Sequence, residues 1–117
     1  MDESICAVEK QDGIAVMSLS FDSILWDDNE KVKNTFISLI DEGTTSVVLD
    51  LSRTTYISSV VLASFVYMLK KAKEAGGNLI LCGINDRVME VLKMTSLDQV
   101  FEMAKDRQEA IAKLPRK

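Results

Sequence analysis

Residues 46–82 read SVVLDLSRTTYISSVVLASFVYMLKKAKEAGGNLILC. Two short apolar runs, 46–51 and 78–82, flank a long segment with helical spacing. Within that segment Leu62, Val66 and Leu69 form one stripe, and Val61, Phe65, Met68 and Ala72 form a second beside it. Two adjacent stripes give the width a helix needs to cover a sheet. Lys70, Lys71 and Lys73 lie in the C-terminal part, where positive charge suits the helix dipole, and Gly76-Gly77 stops the helix. Strand, helix and strand in that order predict parallel neighbours joined by a crossover.

The start of this helix has a pattern of its own. With Ser58 as N-cap, Ile57 precedes the cap and Leu62 takes the fourth helical position, which makes a hydrophobic staple. Ser59 then occupies the first helical position. Val60, Ser64, Tyr67 and Lys71 fall on a different face from the two stripes, so a small exposed patch around Val60 and Tyr67 is expected. Two readings of the serines stay open. They are ordinary helix-starting residues, or they mark a place where unpaired N–H groups and the dipole would tolerate a phosphate.

Outward from this unit the pattern continues. Residues 4–10 and 14–20 read as strands joined by a tight turn at Asp12-Gly13. Residues 21–27 are irregular and apolar. A helix follows, with Asp27 and Glu30 as a capping box, Val32, Phe36 and Leu39 or Ile40 at helical spacing, and Gly43 as its stop. Beyond residue 82, Asn85 caps a short helix carrying Val88, Val91 and Leu92. A further strand is expected around residues 100–103 (VFEM). Asp106 and Glu109 form a second capping box before Ala110, Ile111 and Leu114, and Pro115 closes the pattern. The order β-β-α-β-α-β-α-β-α predicts one α/β domain over residues 1–117, with a mixed β-sheet, crossover helices and an N-terminal β-hairpin.

Composition narrows the chemistry. A chain of 117 residues with 47% hydrophobic and 27% charged residues fits one core. The net charge of −4 argues against direct nucleic-acid or membrane binding. No run approaches the length of a membrane span, and the acidic MDESICAVEK start does not read as a signal peptide. Cys6 and Cys82, both in strand-like runs, read as buried free thiols of a cytoplasmic protein. With no histidine, serine–histidine catalysis is excluded and the commonest metal ligand is missing. No phosphate loop, dinucleotide loop or calcium loop is present, so no cofactor or metal is expected. Trp26 and Tyr67 are candidate partner anchors, with packing an equal account of Trp26.

The run VVLDLSRTTYISSVVLASFVYMLKKAKEAGG, continued by NLILCGINDRVMEVLKMTSLDQVFEMAKDRQEAI, resembles the STAS domain family, in particular bacterial anti-sigma factor antagonists. The resemblance is strongest over residues 46–111. It implies a small domain of four helices and a mixed sheet that binds a serine-kinase anti-sigma factor and thereby releases a sigma factor. It also implies a serine at the start of the long helix that the kinase phosphorylates to end binding. The family signature at that point is an aspartate, two hydroxyl residues and a glycine. Here the matching positions are Ser58, Ser59, Val60 and Val61, and Val60, which cannot accept phosphate, stands at the usual acceptor.

Ser59 and Ser58 are therefore the phosphorylation candidates. Tyr56, Ser58, Ser59, Val60, Ser64 and Tyr67 are the candidate partner contacts, and a weak homodimer is compatible with the same resemblance. Two alternatives remain open: a constitutive STAS scaffold or interaction module without phosphorylation, and a small carboxylate enzyme acting on an anionic metabolite. The expectation is a binding module with no catalysis of its own.

Overall fold

The first two strands are set by their turn. In the computed structural model, which describes residues 6–20 and 26–114 and only the backbone of 26–28, β1 (Cys6–Gln11) and β2 (Ile14–Leu19) pair antiparallel around Asp12-Gly13. Both turn residues have positive φ, 55° and 78°, the signature of a turn whose twist matches the strands it joins. The predicted strand start at residue 4, the irregular run 21–25, and the side-chain roles of Trp26 and Asp27 lie outside the described residues.

The remaining elements follow in the expected order. They are α1 (Trp26–Asp41), β3 (Ser46–Asp50), α2 (Ser59–Glu74), β4 (Asn78–Cys82), α3 (Asp86–Met94), β5 (Glu102–Ala104) and α4 (Arg107–Ala112). The sheet runs β1-β2-β3-β4-β5. β2 to β5 are parallel neighbours, with Val47 opposite Ala15 on one side and Leu79 on the other.

Two helix ends depend on glycine. After α1, the Thr44 N–H reaches the Leu39 carbonyl (2.8 Å) and Gly43 N–H reaches Ile40 (3.0 Å); after α2, Gly77 reaches Ala72 (2.8 Å) and Gly76 reaches Lys73 (3.1 Å). Both are Schellman closures, and Gly43 and Gly76 supply the left-handed φ of +96° and +89°.

Side chains alternate across the strands and divide the core into two layers. Ala15, Met17, Leu19, Val47, Leu49, Leu79 and Leu81 meet the apolar faces of α1, α2 and α3. Ile14, Val16, Val48, Ile80 and Cys82 meet Ala110, Ile111 and Leu114 on the opposite face, at α4. Three helices thus cover one face and one covers the other.

Three local expectations need correction. α1 begins at Trp26, so Asp27 stands inside the helix rather than before it. The last strand lies later than residues 100–103: Ser96 takes a left-handed φ of 62°, a short 3-10 turn spans Leu97–Gln99, and pairing begins at Glu102, opposite Ile80. Phe101 is buried ahead of the strand and Val100 stays exposed. Finally, Ser64 does not share the exposed face. It is 6% exposed, and its hydroxyl donates to the Val60 carbonyl at 3.3 Å. A small hydroxyl can enter the core edge of a helix because the carbonyl one turn back satisfies it.

Candidate functional site

The loop from β3 to α2 carries the predicted site, and it is fixed at several points. The Leu51 N–H donates to the Cys82 carbonyl (2.9 Å), and Thr54 N–H donates to Leu51 (3.0 Å). The Thr54 side chain, buried, donates to the Leu19 carbonyl at 2.8 Å, while Asn85 donates its carboxamide N–H to the Thr54 carbonyl at 3.0 Å. Gly83 presses on the same place from β4. A Cβ there would lie 2.9 Å from the Ser52 nitrogen and 3.1 Å from an Asp50 carboxylate oxygen, and its φ is +68°. Only glycine meets both conditions without displacing a neighbour.

On this frame α2 begins as the spacing predicts. Ser58 is the N-cap, in extended conformation, and its hydroxyl accepts from the Val61 N–H at 3.4 Å. Ile57 and Leu62 are both buried in the larger core layer, as a staple requires. Ser59 is exposed at the first helical position, where backbone N–H groups precede any intrahelical partner. The first turn of α2 holds no acidic residue. Val60 is 50% exposed and Tyr56 is 48% exposed. Val61, at the position of the family's glycine, is buried in the core.

Tyr67 stands two turns further along the face of Val60, about 10 Å away by helical rise. It is 37% exposed and is flanked by two cations, the Lys33 ammonium 5.2 Å and the Lys71 ammonium 5.6 Å from its ring centre. With Phe36, Ile37, Ile40, Asp41 and Lys71 it lines a shallow cavity of about 240 Å³ between α1 and α2. The structure therefore brings Tyr56, Ser58, Ser59 and Val60 together, places Tyr67 on an adjoining stretch of surface, and removes Ser64 to the interior.

Beneath the loop lies a cluster that the sequence reading missed. Arg107, the first residue of α4, donates from Nη2 and Nε to one Asp50 oxygen (2.6 and 3.1 Å), from Nη1 to Glu9 (2.6 Å) and from Nη2 to the Ser18 hydroxyl (2.8 Å). One guanidinium thus bridges β1, β2 and β3. Asp50 is 7% exposed, and its other oxygen accepts the Ser52 N–H at 3.0 Å. Burial pushes the Asp50 carboxyl upward, yet hydrogen bonds from Ser52 and Arg107 outweigh it and hold the group below the usual carboxylate range. The same contact with Asp50 raises the Arg107 guanidinium. Cys82, under this cluster, is a free thiol pushed up to about 12, first by burial and then by the Asp50 charge. A carboxylate ending the apolar strand SVVLD was the available signal, because a buried charge needs a partner.

Among the described residues no group of three or more metal-ligating side chains converges, and no helix is long and apolar enough to cross a membrane.

The STAS domain family model matches residues 6–110. BtrV of Bordetella bronchiseptica, which carries the provisional name of anti-sigma factor antagonist, is 32% identical over 83 residues, 71% of this chain and 72% of that protein. Among solved structures, a provisionally assigned anti-sigma factor antagonist of Thermotoga maritima matches with a TM-score of 0.86 at 23% identity, covering 95% of each chain. The phosphorylated form of the Bacillus cell fate determinant SpoIIAA matches with a TM-score of 0.69 at 14% identity, covering 88% of this chain and 94% of that one. The two solved structures share the fold, and the family match spans the hairpin, the fixed loop and the start of α2 alike: this chain belongs to the STAS domain family.

Proposed function

We propose that this domain is an anti-sigma factor antagonist that binds an anti-sigma factor of the serine-kinase type through the start of α2, and so governs the release of a sigma factor. One observation carries the reading. Two exposed apolar side chains, Tyr56 on the loop and Val60 in the first turn of α2, stand on either side of the exposed Ser59, and the loop is fixed by hydrogen bonds. Apolar groups held near solvent on a rigid base gain by being covered, and they lose little conformational freedom when covered. Tyr67 extends the surface along α2. The name of BtrV and the family match support the antagonist role. The domain acts by binding, and the kinase brings ATP and the chemistry.

If binding is switched, Ser59 carries the switch. It is exposed and occupies the first helical position, at the positive end of the helix dipole, where added negative charge is favoured. Ser58 is the second candidate, but its oxygen is engaged as the cap. A second reading, a constitutive module, is favoured by Val60, which puts an apolar side chain at the family's usual acceptor.

The test uses a cognate anti-sigma factor of the serine-kinase type. Val60→Asp should leave the melting temperature nearly unchanged and weaken binding by tenfold or more, about 1.4 kcal/mol. Unchanged affinity would place the interface elsewhere. Incubation with kinase and ATP, followed by mass spectrometry of wild type and Ser59→Ala, separates the two regulatory readings. Phosphate on Ser59 supports the switch, phosphate on Ser58 alone moves it to the cap, and none supports the constitutive module.

A further inference from the structure

Arg107 is 57 residues from Asp50 in sequence, yet its guanidinium meets the carboxylate that holds the loop leading to α2. One Asp50 oxygen takes the guanidinium, and the other takes the Ser52 N–H. From these contacts we infer that Arg107 is a positioning residue for the partner-binding surface: acting through Asp50, it sets the loop that presents Tyr56, Ser59 and Val60. The inference rests on the reading of that surface as the interface.

The contacts from Arg107 through Asp50 to the loop leave little slack. Asp50 is buried, so its charge is stable there only with the guanidinium and the Ser52 N–H in place. Without Arg107, the carboxylate gains by turning toward water, and the Ser52 backbone must follow or lose its bond. Gly83 lies against both Ser52 and Asp50, so a shift passes to the exit of β4. There Asn85 holds the Thr54 carbonyl, the next fixed point of the same loop. The fork itself is oriented by Glu9 and Ser18, which leaves its Nε edge toward Asp50.

Attachment of α4 is a separate matter. Ala110, Ile111 and Leu114 pack on Ile14, Val16, Val48, Ile80 and Cys82 without help from the guanidinium. Arg107 can therefore be altered with the second core layer intact.

Arg107→Gln, Arg107→Lys and Asp50→Asn are compared by backbone amide NMR, melting temperature and affinity for the anti-sigma factor kinase. Arg107→Gln should displace the Ser59 and Val60 amide signals of the free domain and weaken the partner about three- to thirtyfold. Arg107→Lys should recover the melting temperature, because it keeps the charge, but not the loop signals, because an ammonium cannot form the same fork. Arg107→Gln combined with Asp50→Asn should bind no worse than the weaker single variant, since both break one chain of contacts. Unmoved Ser59 and Val60 amides in Arg107→Gln would overturn the inference, as would a lysine variant that restores signals and affinity together. Should Arg107→Gln not fold, the lysine variant decides alone. Should wild type not bind the kinase, the interface reading fails, while the amide signals still judge the role of Arg107.

Discussion

α2 and α3 start from the exits of neighbouring parallel strands, and they start differently. At α3, Asn85 accepts from the Val88 N–H at 2.8 Å and donates to the Thr54 carbonyl at 3.0 Å, so one side chain caps its own helix and ties down the adjacent loop. Asp86 adds a negative charge in the first turn. At α2, the Ser58 hydroxyl reaches Val61 only at 3.4 Å, the first turn has no acid, and Ser59 and Val60 face outward. α3 uses its cap, its dipole and a cross-loop bond for stability. α2 leaves the dipole uncompensated and an apolar side chain in water. On the proposed function, the stability that α2 forgoes is left for a partner, or a phosphate, to supply.

Removing the stronger cap should have the largest effect. Asn85→Ala loses the α3 cap and leaves the buried Thr54 carbonyl without its donor, an expected cost of about 1–3 kcal/mol. Urea unfolding measures it. A loss below about 0.5 kcal/mol would show that water replaces both bonds and would erase the contrast. Ser58→Ala should cost less, about 0.5–1 kcal/mol, since the bond it removes is long. A loss equal to that of Asn85→Ala would mean that the two starts are equally built for stability.

A smaller effect with the opposite sign sharpens the comparison. Ser59→Asp puts a negative charge where α2 has none, so it should stabilise the domain by about 0.3–1 kcal/mol at low salt, and less as salt rises. The denaturation midpoint with and without salt reports both. A destabilised Ser59→Asp would mean that the first turn of α2 does not favour negative charge, and the phosphate argument would weaken with it.

The parts of this molecule that sequence disclosed are those encoded within a few residues. Ser58, Asn85 and Asp106 each stand three residues before the N–H they accept, and the glycines after α1 and α2 act on their own turns. Strand alternation and helical stripes follow the same local logic, so β3, α2 and β4 fell where expected. Ser64 was misplaced because helical phase stood in for exposure: it shares a face with Val60 and Tyr67 by spacing, but its hydroxyl is satisfied by Val60 and then buries like an alanine. The last strand slipped because a left-handed Ser96, with no glycine to announce it, redirected the chain. The Asp50–Arg107 cluster was out of reach for another reason. Its four residues come from β1, β2, β3 and α4, and only the assembled sheet brings them together.

Acid should separate the two helix starts most finely, because its effect is silent at neutral pH. The α3 side is held by the carboxamide of Asn85, which does not titrate. The α2 side depends on the Asp50 carboxylate, which holds Ser52 and meets Arg107. Its pKa is depressed in the folded protein, so between that value and the ordinary one near 4 the unfolded chain binds more protons. The stabilisation is therefore complete above roughly pH 4 and is lost as pH falls through the lower, folded value. Other carboxylates titrate in the same region, so the useful quantity is the difference in melting temperature between wild type and Asp50→Asn. That difference should be constant from neutral pH down to about pH 4 and then close on further acidification. Over the same range the Ser52 amide should lose exchange protection before the Val88 amide does, because Ser52 bonds the carboxylate itself whereas Val88 bonds a carboxamide. A gap that persists undiminished in acid would show that Asp50 holds the loop through packing rather than charge. The start of α2 would then rest on the same kind of support as the start of α3.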